Sequence, residues 1–225
     1  MKFFVSKKVL DFGLKIRFVR ISNIRNIEND LVNNYIKTKS AKLLELYKDY
    51  NVDSDPILKG FNEIHERAGI SKRKNVPAGE NLIRNLITNN NYKTINPLVD
   101  IYNLLSIESK LCLGAHDIAN VDGDVYLRFH NGDEIYNPLG DMSSSKVKLS
   151  EYSYIDSSNE ILCRLEVRQV KKTMVKEDTT DVFYIVEGNL NTPDDYLIKY
   201  CNIIIEETTK YLGGNGEIID YSLID

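Results

Sequence analysis

The sequence has few of the residues that build metal sites and disulfide frameworks. Its three cysteines, Cys112, Cys163 and Cys201, are widely spaced and form no C-x-x-C pair. Isolated cysteines in odd number predict neither a disulfide framework nor a zinc site. His65 has no second histidine or cysteine at ligand spacing, so we interpret it as structural. We therefore expect no metal and no other cofactor, and a reducing compartment, the cytoplasm, as the location.

Long hydrophobic runs are also missing. The amino-terminal apolar run, Phe3 to Val5, is too short for the core of a signal peptide. No later stretch approaches the length that spans a bilayer, so we expect no membrane partner. Hydrophobic residues make up 42% and charged residues 28% of the 225 positions, which suits a soluble protein with a sizeable core. That length fits one large or two small domains.

Positive charge is scarce in the second part of the chain. Residues 1–90 hold 17 Lys+Arg against 10 Asp+Glu, a net +7, whereas residues 91–225 hold 12 against 23, a net −11. The total of −4 disfavours nucleic acid, but the asymmetry predicts either an electrostatic face or ordinary drift of surface charge. Lys72, Arg73 and Lys74, which we call the basic loop, leave two alternatives open. The loop is either a solvated connector or a contact for RNA phosphates, which would supply affinity without sequence selection.

Three helices have clear start signals. In the central helix, predicted over 94–106, Asn96 precedes Pro97, and proline is favoured at the first helical position. Asp55 before Pro56 and Thr192 before Pro193 repeat this pattern, with Asp55 and Thr192 as predicted caps. Apolar spacing predicts further helices over 27–50, with a possible interruption at 37–40, and over 82–87.

Alternating apolar residues predict the strands. Two lie within residues 3–21, two more at 152–155 and 161–167, and the apolar run 182–186 predicts a central strand. Asn131–Gly132 predicts a hairpin between 125–129 and 135–136, which would leave His130 exposed at its turn. Residues 142–150 predict a loop rich in serine and lysine.

One predicted strand carries charged residues at alternate positions. In a regular strand Arg164, Glu166 and Arg168 would point to the same face. This row predicts either an ion-pair ladder that faces solvent or the floor of a polar pocket.

Together these elements predict a single α+β domain. We expect a mixed, largely antiparallel sheet, built from the strands of residues 125–188, to pack against the central and carboxy-terminal helices. Residues 1–75 would form a strand-and-helix extension of the same domain, residues 76–190 its core, and residues 191–225 a terminal helix and tail that pack on the core.

Five motifs in order carry a resemblance to a known family. They begin with the central helix and continue with Gly114-Ala-His-Asp117, Gly123-Asp-Val-Tyr-Leu-Arg128 with Gly132-Asp-Glu134, the run Ile161 to Gln169, and Val175 to Thr179 leading to Glu187-Gly188. The sequence resembles the B3/B4 editing domain of the phenylalanyl-tRNA synthetase beta chain. It is more similar still to free-standing proteins built from that domain alone. The resemblance covers residues 76–188, about half of the chain.

The resemblance implies a set of substrate-binding residues. Asn103 matches a pocket asparagine of the central motif, Glu187 matches a glutamate that recognises a misplaced tyrosine, and Asp117 closes the following motif. Arg164, Arg168 and Gln169 match the arginine-rich strand of the free-standing proteins, where the synthetase has a glycine-rich segment. Gly114 stands where the synthetase has a histidine. These two departures predict a reshaped pocket and make an amino acid other than tyrosine a fair hypothesis.

The function that this resemblance implies is hydrolysis of misacylated aminoacyl-tRNA, a trans-editing deacylase. No Ser/His/Asp or Cys/His set is recognisable, but an aminoacyl ester is activated, so a positioned water and oxyanion donors suffice as a mechanism. No catalytic residue is therefore predicted. The alternative is a non-catalytic accessory module that binds tRNA or a free amino acid. The expected partners are aminoacyl-tRNA and a synthetase, not DNA, and 225 residues leave no room for a complete synthetase.

Overall fold

The structure, a computed structural model, describes residues 1–140 and 147–225. Within these ranges the helices are α1 Lys7–Asp11, α2 Asp30–Tyr47, α3 Pro56–Arg67, α4 Ala78–Asn89, α5 Pro97–Ser109 and α6 Asp194–Leu212. The strands are β1 Phe3–Ser6, β2 Leu14–Ser22, β3 Cys112–Asp117, β4 Val125–Phe129, β5 Tyr152–Asp156, β6 Ile161–Arg164, β7 Arg168–Gln169, β8 Val182–Asn189, β9 Asn215–Ile219 and β10 Ser222–Ile224. Residues 142–146 of the predicted loop lie outside the described residues.

Local capping explains where two of the predicted helices begin. The Asp55 carboxylate accepts hydrogen bonds from the backbone amides of Ile57 and Leu58 at the start of α3. The Asn96 side chain accepts from Val99 N at the start of α5. Both caps satisfy amides that have no partner inside the helix. The predicted cap at Asp55 and the predicted start of α5 at Pro97 are confirmed.

The predicted cap of α6 is wrong. Thr192 precedes the cap position, which Pro193 occupies without a side-chain hydrogen bond. The Thr192 hydroxyl instead accepts from Asn189 N at 3.2 Å and closes the turn between β8 and α6. Two aspartates in the first turn, Asp194 and Asp195, still complement the positive end of the helix.

The strands are divided between two sheets. One has the order β10-β1-β4-β5-β6-β7, and the other has the order β3-β8-β2-β9. Pairing is parallel between β1 and its two neighbours and antiparallel elsewhere in both sheets. The α+β class with mixed, largely antiparallel pairing is confirmed, and β8 is a central strand as predicted. The single sheet expected from residues 125–188 is instead shared between the two.

The four-stranded sheet forms the middle layer of the fold. One face packs against α2, α5 and α6, in a core that includes Val19, Ile21, Tyr184 and Val186. The other face packs against the six-stranded sheet and α3, through residues such as Phe18 and Phe183. The strands from the amino-terminal residues are internal, because β1 lies between β10 and β4, and β2 between β8 and β9. The domain boundary near residue 75 stays a prediction.

The hairpin predicted at Asn131–Gly132 is wrong. β4 pairs with β1 and β5, and Ile135 forms an isolated parallel bridge with Glu160. The amides of Asn131 and Gly132 donate to the Glu134 carboxylate, so the turn closes on a side chain.

His130 is buried rather than exposed, which corrects a second prediction. Only 5% of its surface is accessible, because the chain after β4 continues alongside β5. Its Nε2 lies 2.7 Å from Ser153 Oγ and its Nδ1 lies 3.0 Å from the Lys148 carbonyl oxygen. Burial lowers the pKa of His130, so the imidazole is neutral and structural.

Candidate functional site

A pocket of about 320 Å³ lies beside β3, the edge strand of the four-stranded sheet. Its floor is the face of β3 and β8 that is turned toward the six-stranded sheet. Its walls come from the start of α4, from α5, and from the segment between β6 and β7. Cavities of this size are typical of small-ligand sites, so this pocket is the candidate functional site.

The floor is built from cross-strand neighbours. Cys112 lies opposite Glu187, and Gly114 lies opposite Ile185. Because side chains alternate along a strand, Cys112, Gly114 and His116 share the face that lines the pocket. A Cβ added at Gly114 would meet no atom within 4 Å. The missing side chain therefore leaves open space above the middle of the floor.

Glu187 is an incompletely bonded carboxyl group in this floor. Its Oε1 accepts a hydrogen bond of 2.7 Å from the Tyr154 hydroxyl. Among the described residues, Oε2 has no hydrogen-bond partner. Burial, and then the nearby charge of Glu166, raise the pKa of Glu187 well above its usual range. The group is thus a neutral acid that can donate a hydrogen bond to a ligand.

Glu166 lies in the same pocket in the opposite electrostatic state. Its Oε1 lies 2.5 Å from His65 Nε2, and its Oε2 accepts from the Tyr152 hydroxyl at 2.6 Å. Burial has the largest single effect on the pKa of Glu166 and raises it, but the charge and close contact of His65, together with the Tyr152 hydrogen bond, lower the net pKa. The carboxylate in turn raises the pKa of His65 against its burial. Glu166 and His65 form a buried ion pair, which agrees with the structural role predicted for His65.

The predicted row of Arg164, Glu166 and Arg168 on one strand face is wrong. The chain turns after β6, with Leu165 at φ 52°, and Arg164 and Arg168 face each other across the β6–β7 pair. Glu166 lies in this turn and points into the core, where it is 2% exposed. The alternating charges thus lie in a tight turn of the chain between β6 and β7. The residue with the left-handed conformation in this turn is Leu165, not the glycine or asparagine that would have indicated a turn in the sequence.

The two arginines have different surroundings. Arg164 does not line the pocket, since its guanidinium donates to both oxygens of Glu151, at 2.8 and 2.7 Å, and to Asn75. Arg168 lines the pocket, and among residues 1–140 and 147–225 its guanidinium donates only to the Leu139 carbonyl oxygen, at 3.3 Å. Arg168 therefore keeps most of its donors for an anionic or polar ligand.

Three amide side chains complete the polar lining, and one of them is Asn81 at the start of α4. The Gln169 Nε2 group donates to the carbonyl oxygens of Ala115 and Thr173, which uses both of its hydrogens and fixes the side chain. Gln169 therefore presents its oxygen as an acceptor. Asn103, on α5, lies at the rim and is 9% exposed. Four of the six predicted substrate-binding residues, Asn103, Arg168, Gln169 and Glu187, line this one pocket.

His116 is a pocket residue that the sequence reasoning missed. Its ring stacks on Phe183 with 4.9 Å between centroids, and its Nδ1 lies 2.7 Å from Thr173 Oγ1. Burial lowers the pKa of His116 to about 3, so the imidazole is neutral at physiological pH. The signal that could have found it is its position two residues after Gly114, on the same strand face.

The pocket thiols are poor nucleophiles. Burial raises the pKa of Cys112 and of Cys163 well above the usual range, which keeps both groups protonated. In residues 1–140 and 147–225, no group of three or more His, Cys, Asp and Glu side chains is arranged to hold a metal ion. Over the same ranges, no helix has the length and apolarity needed to cross a membrane.

Asp117 and the basic loop lie outside the pocket lining. Asp117 is 6% exposed and accepts hydrogen bonds from Ala119 N and from the Thr179 hydroxyl. The basic loop is an exposed turn before α4, and Lys72 Nζ lies 3.8 Å from Asp53 and 3.6 Å from Glu80. One of its three charges is thus partly neutralised within the chain.

Comparison with known proteins identifies the family. The structure is similar to an N-terminal fragment of the phenylalanyl-tRNA synthetase beta-subunit from Pyrococcus horikoshii, with a TM-score of 0.50 and 11% sequence identity. The alignment covers 99% of this chain and 51% of that one, so the chain spans about half of the fragment, and at this identity the likeness shows the fold alone. A search of curated proteins finds no match. The family model of the B3/4 domain matches residues 65–192, more than half of the sequence, and the chain therefore belongs to the B3/4 domain family.

Proposed function

We propose that this protein hydrolyses the ester bond of misacylated aminoacyl-tRNA and holds the misplaced amino acid in the pocket beside β3. The observation that carries the proposal is the pocket lining, where a neutral acid, three amides, one arginine and one neutral imidazole converge beside the Glu166 carboxylate in a cavity of about 320 Å³. The B3/4 family and the fold shared with a fragment of the synthetase beta-subunit support a tRNA-related role.

Water is the nucleophile in this proposal. It adds to the ester carbonyl carbon, and the carbonyl oxygen takes up the negative charge. The bond from that carbon to the ribose oxygen then breaks, the departing ribose oxygen takes up the proton that the attacking water has lost, and free amino acid and tRNA leave. The protonated thiols of Cys112 and Cys163 favour water over a covalent intermediate on either cysteine.

Positioning, more than proton transfer by a strong base, drives the reaction. Glu187 is protonated, Glu166 is paired with His65, and the imidazole of His116 is too weak a base to work near its optimum. Correct placement of the two reactants can supply about 7–11 kcal/mol of a barrier, which suits an ester that is already activated. His116 and the Gln169 oxygen are the groups we assign to holding the water.

Recognition is assigned to groups with unused hydrogen-bonding capacity. Glu187 offers a donor to a polar atom of the amino-acid side chain, and Asn103 at the rim contacts the ester or the terminal ribose. Arg168 contacts the nearest phosphate or carbonyl oxygen. The open space above Gly114 admits a side chain larger or differently shaped than a histidine at that position would allow.

The test is deacylation of a panel of aminoacyl-tRNAs, including tyrosyl-tRNA(Phe). We expect cleavage of one mischarged species while the cognate pairs survive. Asn103→Ala and Glu187→Ala should each abolish this cleavage, and Asn202→Ala, at an exposed position on α6, is the matched control. Binding of tRNA without any cleavage would contradict the hydrolase and support the accessory module instead.

A further inference from the structure

A second cavity adjoins the pocket. It is a groove of about 630 Å³ between the second half of α4 and the segment 91–95 that leads to α5. Leu82 and Asn103 line both the groove and the pocket, so the two cavities meet at these side chains. A linear ligand whose end fills the pocket therefore has a path along the groove.

The groove has a polar lining with one positive charge. Four amide side chains line it, together with one lysine, Lys93, and none of the described lining residues is a carboxylate. The amides are Asn85, Asn89, Asn91 and Asn103. A wall with one cation and no described carboxylate accepts a polyanion without repulsion from its own lining.

Amide side chains match the edges of nucleobases. Each asparagine offers both a donor and an acceptor, which is the pattern that the bases present on their edges. Asn85, Asn89 and Asn91 are exposed, so these groups are accessible from solvent.

Apolar and aromatic groups of the groove suit the faces of bases. Leu82, Leu86 and Ile95 contribute aliphatic surface, and Ile95 is 65% exposed. The Tyr92 ring is held in place because its hydroxyl donates to Asp100 at 2.9 Å. A fixed ring beside exposed amides and one cation is a combination that suits single-stranded nucleic acid.

We propose that this groove binds the unpaired terminal nucleotides of an RNA whose acylated 3′ end enters the pocket. The identity of the pocket's occupant rests on the proposed function, but occupation of the groove is tested without hydrolysis. The assignment also separates two RNA contacts along α4. The basic loop precedes the helix, and the groove lies along its second half, with the pocket between them.

The experiment measures binding of a fluorescent single-stranded RNA that ends in C-C-A to the full chain. We expect Lys93→Glu and the double variant Asn85→Ala/Asn89→Ala each to weaken binding about tenfold. Lys7→Glu, an exposed lysine on α1 next to the other sheet, makes the same charge change and should leave binding unaltered. All four substituted positions are exposed, and an unchanged urea midpoint confirms that each variant folds.

Three outcomes overturn the proposal. They are no measurable binding of the RNA by the wild-type chain, equal weakening by Lys7→Glu, and equal competition by a blunt RNA duplex. Loss of hydrolysis alone does not affect it, because the readout is binding. A fourth outcome also refutes the groove proposal. If the wild-type chain deacylates tRNA while Lys93→Glu and Asn85→Ala/Asn89→Ala keep full affinity for the RNA, the proposed function stands and the groove is not the RNA site.

Discussion

Two tyrosines of strand β5 each donate a hydroxyl hydrogen bond to a glutamate, and the two glutamates are in opposite charge states. Tyr152 donates to one oxygen of Glu166, and the other oxygen contacts His65 in the ion pair, so that carboxylate is charged and has a partner at each oxygen. Tyr154 donates to Glu187, which is neutral and has one oxygen facing the pocket without a described partner. The closed network holds the fold together, and the open one is available to a ligand. Incomplete bonding, more than burial or charge, distinguishes the candidate site from its scaffold.

The largest expected effect is on the closed network. Glu166→Ala would leave the His65 imidazolium and the Tyr152 hydroxyl buried without partners. Breaking a buried pair in this way costs about 3–5 kcal/mol, which is a large fraction of the stability of a typical domain. Urea denaturation at neutral pH should show this loss of unfolding free energy.

The matched control for this change is Glu177→Ala. Glu177 is exposed and should alter the unfolding free energy by less than about 0.5 kcal/mol. If Glu166→Ala were as stable as Glu177→Ala, the pair with His65 would not be part of the scaffold.

The next comparison uses two arginines that face each other across β6 and β7. Arg164→Ala removes a two-pronged pair with Glu151 and should cost about 3 kcal/mol of unfolding free energy. Arg168→Ala should leave stability within about 0.5 kcal/mol, but it should reduce deacylation because the arginine lines the pocket. Denaturation and single-turnover cleavage of both variants measure the two effects. Equal stability of the two variants would contradict the division between scaffold and site.

The sequence predicted what is decided locally. Asp55 caps α3 as expected, and α5 begins at Pro97 as expected, because the start of a helix depends on only a few neighbouring residues. The apolar run 182–186 predicted β8, since a strand that is covered on both faces has no polar alternation. The family resemblance then pointed to four residues that the structure brings together, although the central helix alone reads as ordinary core.

The errors arose where distant segments decide the outcome. β4 pairs with β1, more than 120 residues away in the sequence. The residues after Asn131–Gly132 therefore do not form the second strand of a hairpin with β4. His130 is buried because the chain after β4 continues alongside β5. The prediction that Arg164, Glu166 and Arg168 share one strand face was wrong because Leu165 adopts φ 52°. A leucine in the sequence does not indicate this left-handed conformation. Glu166 forms an ion pair with His65 of α3. The two residues are 101 positions apart in the sequence, and periodicity does not reveal such a contact.

The effect of Glu187 on the pH dependence of stability further tests the difference between Glu187 and Glu166. In the unfolded chain a glutamate ionises above its usual pKa of 4.5, whereas burial and the charge of Glu166 keep the folded Glu187 protonated. Between the unfolded and folded pKa values the unfolded state therefore binds fewer protons, and stability falls by about 1.4 kcal/mol per pH unit.

Glu187→Gln removes this slope. The amide oxygen still accepts from the Tyr154 hydroxyl, so the variant should be at least as stable as the wild type at neutral pH. The measurement is unfolding free energy against pH from 5 to 9 for both proteins, with the Gln variant showing the flatter profile. Identical profiles would mean that Glu187 is ionised in the folded chain and cannot act as the donor assigned to it.

The smallest expected effect belongs to the basic loop. Its residues are exposed, so replacing Lys72, Arg73 and Lys74 together with alanine should not change stability. Lys72 already lies near Asp53 and Glu80, which leaves about two cations for phosphates. Each contact to a single strand contributes about 0.7 to the slope of log affinity against log salt, so the slope for tRNA should fall by about 1.4. Titrations at several salt concentrations measure this change. An unchanged slope would mean that the basic loop is a solvated connector. Of the two proposed RNA contacts along α4, only the groove with Lys93 would then remain.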